Sequence, residues 1–69
     1  MAEKFEALLG ENIFQTAERA TQFCKENGFS YVELTFNGLE VVVSKDSSPY
    51  DIVRIYNLLR EVDKLKNSL

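Results

Sequence analysis

A chain of 69 residues has room for one small domain. At that size folding buries only about 60% of the unfolded surface, so stability is marginal unless a cross-link, a metal or a partner reinforces it. A single cysteine, Cys24, excludes an internal disulfide, the lack of histidine removes the commonest zinc ligand, and a net charge of −3 from 11 acidic and 8 basic side chains argues against nucleic-acid binding.

Residues 3 to 27 read as helix. Phe5, Leu9, Ile13, Ala17, Ala20 and Cys24 recur at three- and four-residue spacing, which places them on one face. Gly10 interrupts that stripe, so Gly10-Glu11-Asn12 is a natural break between a short first helix and the main one. Lys25 puts positive charge in the last turn, and Gly28 suits the left-handed position that follows a helix.

Tyr31 to Phe36 and Leu39 to Ser44 are strand-like runs separated by Asn37-Gly38. That dipeptide suits a two-residue type I′ turn, in which both central residues take positive φ. The turn sets Phe36 against Leu39, Leu34 against Val41 and Val32 against Val43 on one apolar face. Tyr31, Glu33, Thr35, Glu40, Val42 and Ser44 line the other, and a slip of one residue would exchange the two faces. Ser48 as N-cap, Pro49 at the first helical position and Asp51 at the third then start a helix over about 49–67. Ile52, Ile55, Tyr56, Leu59 and Val62 form its core stripe, which Leu58, Leu65 and Leu69 widen. Ile55, Leu58, Val62, Leu65 and Leu69 follow heptad spacing.

These elements specify one α+β domain. It is a two-layer α-β-β-α arrangement in which two helices cover one face of an antiparallel hairpin. Both hairpin edges are left open, and such edges invite pairing with another chain, so the sheet is expected to extend by dimerisation. The apolar arc of the second helix exceeds what one hairpin face requires. Leu58, Leu65 and Leu69 on that helix, with Tyr31 and Val42 on the outer sheet face, are therefore the candidate interface residues.

No catalytic, cofactor or metal site emerges from the residues. Cys24 is in register with the core stripe near a helix C-terminus, where a thiol is not activated. Glu33 and Glu40 are diagonal neighbours on an open face that would keep both carboxylates solvated. There is neither a phosphate-binding glycine loop nor a histidine to activate a hydroxyl. Arg54, Arg60, Lys64 and Lys66 are interrupted by Glu61 and Asp63, which suits a solvated helix face. No apolar run approaches the ~20 residues of a membrane span. Met1-Ala2-Glu3-Lys4 carries no signal-peptide pattern, and a lone thiol then suits the cytoplasm.

Glu26-Asn27-Gly28 leading into Tyr31-Val32-Glu33-Leu34 resembles the helix-plus-hairpin start of bacterial biotin carboxyl carrier proteins. The Met-Lys-Met motif that carries biotin there is absent from this chain, so the resemblance implies no cofactor. Residues 36 to 59 are similar to a strand, serine cap and helix of small accessory proteins of mobile elements, a source that the small size also suits. The expected role is a non-catalytic protein-interaction module (an accessory, adaptor or regulator) acting as a homodimer on another protein, with neither nucleic acid nor membrane as partner. The alternative is a structural or assembly subunit of a larger enzyme complex.

Overall fold

The computed structural model describes residues 3–67. Its elements run β1 (Glu3–Glu6), α1 (Ile13–Asn27), β2 (Tyr31–Phe36), β3 (Leu39–Ser44) and α2 (Pro49–Asn67). The three strands form a mixed sheet in the order β1-β2-β3, with β1 parallel and β3 antiparallel to β2.

The hairpin has the expected register, with Phe36 opposite Leu39, Leu34 opposite Val41 and Val32 opposite Val43. Asn37 and Gly38 take φ of 50° and 79°, the positive values that a type I′ turn demands. Inward-facing Val32, Leu34, Val41 and Val43 are buried with Ala17, Ala20 and Cys24 of α1 and Ile52 and Tyr56 of α2. Both helices therefore cover the same face of the sheet, and the molecule has two layers.

The N-terminus departs from expectation. Residues 3–6 form a strand, and α1 begins only at Ile13. Phe5 is buried, but opposite Leu34 in the sheet and against the Phe23 ring, while Leu9 is fully exposed. Two causes decide this. Asn12 caps α1 through a reciprocal capping box with Gln15, and Gly10 at φ 86° turns the chain away from any preceding helix. Parallel pairing by β1 also satisfies the backbone groups along one side of β2, which a helix could not do. Among the described residues, one edge of the hairpin, that of β3, thus stays open.

The other helix ends follow local chemistry. Gly28 sits in the left-handed region, and the Phe29 amide closes the end of α1 on the Cys24 carbonyl at 3.0 Å. Ser48 caps α2, its Oγ accepting from the Tyr50 amide at 3.3 Å. Asp51 does not close a capping box there; its carboxylate receives Arg54 at 3.3 Å. Thr16 and Thr21, polar side chains in the buried part of α1, donate to the carbonyls of Asn12 and Ala17 one turn back.

Candidate functional site

Among the described residues of α2, the heptad-spaced ones do not join the core. Ile52 and Tyr56 are buried and Leu59 is partly buried, whereas Ile55, Leu58, Val62 and Leu65 expose 42%, 61%, 51% and 66% of their surfaces. Ile55 and Val62, expected in the core stripe, thus belong to an exposed one. The physical reason is that α2 carries two overlapping stripes. Ile52, Tyr56 and Leu59 pack inward, the Tyr56 ring meeting Phe36 edge-on at 5.3 Å. Residues 55, 58, 62 and 65 lie on the adjacent flank, which α1 and the sheet leave exposed.

That flank borders the open edge of the sheet. A shallow groove beside α2 is lined by Leu39 and Glu40 at the start of β3 and by Leu59, Val62, Asp63 and Lys66. Leu58 and Leu65, two of the expected interface residues, lie on the exposed stripe with Ile55 and Val62. Leu69 falls outside the described residues. Tyr31 and Val42 are half-exposed or more but occupy the opposite, outer face of the sheet. The structure therefore does not gather the five into one patch, and the β3 edge runs between the two groups.

The outer face holds one ionic cluster. Lys4 of β1 stands opposite Glu33 in register, and its Nζ reaches the Glu33 carboxylate at 2.7 Å and that of Glu40 at 3.7 Å. The hydrogen bond to Glu33, then the charges of Glu33 and Glu40, raise the Lys4 pKa. The two carboxylates are thus joined by a cation that sequence periodicity had placed in a helix. All three side chains remain open to water, which suits cross-strand pairing and offers no desolvated acid or base.

A second cluster ties the N-terminal strand to α1. Arg19 grips the Glu11 carboxylate through Nε at 2.5 Å and Nη2 at 2.8 Å, donates to the Glu6 carbonyl at 3.1 Å, and lies over the Phe5 ring. Glu11 also accepts from the Leu8 amide and the Thr16 hydroxyl. The Arg19 hydrogen bond, reinforced by the Leu8 amide, holds the Glu11 pKa down at about 2. The Glu11 carboxylate and the Arg19 Nε and Nη2 groups are engaged within the chain, which suits a clamp that holds β1 on α1.

Cys24 is fully buried in the core, with its thiol 3.6 Å from the Val43 carbonyl, and burial pushes its pKa up. A protonated, enclosed thiol is a poor nucleophile. Among the described residues no group of three or more acidic or cysteine side chains is placed to hold a metal ion. No helix among them is long and apolar enough to cross a membrane. No buried side-chain nitrogen or oxygen among them lacks a hydrogen-bond partner.

No protein-family model, curated protein or solved structure matches this chain. The apolar flank of α2 is a feature that the fold itself leaves unexplained.

Proposed function

We propose that this protein is a small, non-catalytic interaction module that acts as a homodimer and presents the assembled surface to another protein. The observation that carries the proposal is the stripe Ile55, Leu58, Val62 and Leu65, four large apolar side chains at heptad spacing on one exposed helix flank. Scattered apolar residues on a surface need no explanation, but a contiguous stripe at coiled-coil spacing is the form that helix pairing takes. A chain of this size has much to gain from association, because its own core is small. The twofold dimer is the simplest closed arrangement for one self-complementary surface, and the sheet extends across it. A reducing compartment, the cytoplasm, suits the unpaired thiol of Cys24.

Leu65→Glu is the direct test. It places a charge at the C-terminal end of the stripe, on a side chain that is 66% exposed in the single chain. The expected result is a folded monomer, with far-UV circular dichroism preserved and the solution mass halved. An unchanged mass would remove α2 from the interface.

A further inference from the structure

The geometry points to a specific second half of this self-interface: the free edge of β3 pairs antiparallel with the β3 edge of a second copy. The twofold passes beside Val41, so that Glu40 of each chain faces Val42 of the other. The inference rests on the homodimer reading above and says how that dimer is built.

Three observations carry it. The first is the direction of the backbone groups. In a two-residue hairpin the residues flanking the turn, Phe36 and Leu39, form a hydrogen-bonded pair, and such pairs alternate along the ladder. Leu34 with Val41 and Val32 with Val43 follow. The Lys45 amide bonding to the Ser30 carbonyl at 3.4 Å continues the same alternation past the strand end. The N–H and C=O groups of Glu40, Val42 and Ser44 therefore point away from β2, toward the open edge.

The second is how that edge is bounded. Ser47 Oγ accepts from the Ser44 amide at 3.0 Å, and the Ser47 amide donates to the Ser44 carbonyl at 3.1 Å. Ser44 is thus closed off within its own chain, leaving Glu40 and Val42 as the strand's outward pair. Antiparallel pairing centred at Val41 uses both groups of both residues in each copy. Centring on Val42 would oppose Glu40 to the capped Ser44, and centring on Glu40 would oppose Val42 to Gly38 in the turn. One register satisfies the whole edge.

The third is the position and charge of α2. Its apolar stripe borders this edge at Val62, next to Leu39 and Glu40. A twofold that pairs the strands also runs the two α2 helices antiparallel. The first turn of α2 carries Asp51, which within the chain meets Arg54 at 3.3 Å, and the last turn carries Lys64 and Lys66, so antiparallel helices set the acidic first turn of each toward the basic last turn of the other. The same operation covers the stripe and complements the charges. β3 has neither proline nor lysine between Leu39 and Ser44 and a single charge, Glu40, whereas β1 at the opposite edge exposes Glu3, Lys4 and Glu6.

Val42→Pro tests the proposal. Proline is tolerated on an edge strand where its nitrogen faces outward, so the hairpin keeps its own ladder while the edge loses a donor and meets a ring. The expected result is a folded chain whose dimer dissociation constant, measured by sedimentation equilibrium, rises at least about tenfold. Wild-type affinity in this variant, with Leu65→Glu still monomeric, would overturn the edge pairing and leave the helix interface standing. Should neither variant alter the association, or should the wild-type chain be a monomer, both proposals fail. Amide hydrogen exchange on the wild-type chain supplies a readout that does not depend on how the proline variant folds. The Glu40 and Val42 amides are expected to slow with rising protein concentration, while the Ser44 amide, already bonded to Ser47, does not change. Exchange at Glu40 and Val42 that is independent of concentration in a sample that dimerises would overturn the proposal.

Discussion

Leu34→Ala probes the register on which the rest of the architecture depends. Leu34 is fully buried at the centre of the sheet, opposite Phe5 on one side and Val41 on the other. The substitution removes three carbons, worth about 2.4 kcal/mol at ~0.8 kcal/mol per buried methylene. The cavity left beneath two helices brings the loss to about 2–5 kcal/mol. A domain of this length has roughly 3–10 kcal/mol in total, at ~0.05–0.15 kcal/mol per residue, so the variant should be near its unfolding threshold. Urea denaturation followed by circular dichroism, at matched protein concentration, measures the difference. Thr35→Ala, on the same strand but facing outward, is the control and should change stability by less than about 1 kcal/mol. A loss below about 2 kcal/mol at Leu34, or an equal loss at Thr35, would mean that the faces are exchanged.

Two further predictions concern groups held inside the chain. Glu11 is ionised in the fold down to about pH 2, against its ordinary value of 4.5, because Arg19 and the Leu8 amide stabilise the charge. Its contribution is therefore fully present above pH 4.5 and is lost as the pH falls through about 2. Glu11→Gln should flatten the pH dependence of stability across that window, and an unaltered profile would refute the clamp. Cys24, buried and with its pKa raised, should react with a thiol reagent only as fast as the domain opens. Labelling at the rate of a free peptide thiol would contradict its place in the core.

Features set by neighbouring residues were legible in the sequence. Asn37-Gly38 dictates its own turn, and from the turn follow the register and the buried faces of β2 and β3. Ser48-Pro49 and Gly28 mark helix ends through chemistry confined to a few residues. The N-terminal strand was hidden because Phe5, Leu9 and Ile13 satisfy helical spacing, while the forces that make residues 3–6 a strand come from distant β2 and from Arg19. Gly10 and Asn12 held the only local warning. On α2, periodicity showed that Ile55, Leu58, Val62 and Leu65 form a stripe, but not how much of the helix the sheet can cover. One sheet face with α1 beside it takes Ile52, Tyr56 and Leu59, leaving the flank exposed. Leu58 and Leu65 were accordingly legible as members of a stripe, whereas the position of Glu40 and Val42 on an edge strand depends on β1 occupying the other side of β2.

Association between copies is the central claim, and the solution mass of the wild-type chain across a concentration series tests it most directly. Light scattering coupled to size-exclusion chromatography should give a mass near twice the 7.9 kDa of one chain, falling toward that value on dilution. A mass of one chain at every concentration would contradict the claim and leave both the α2 flank and the β3 edge facing water.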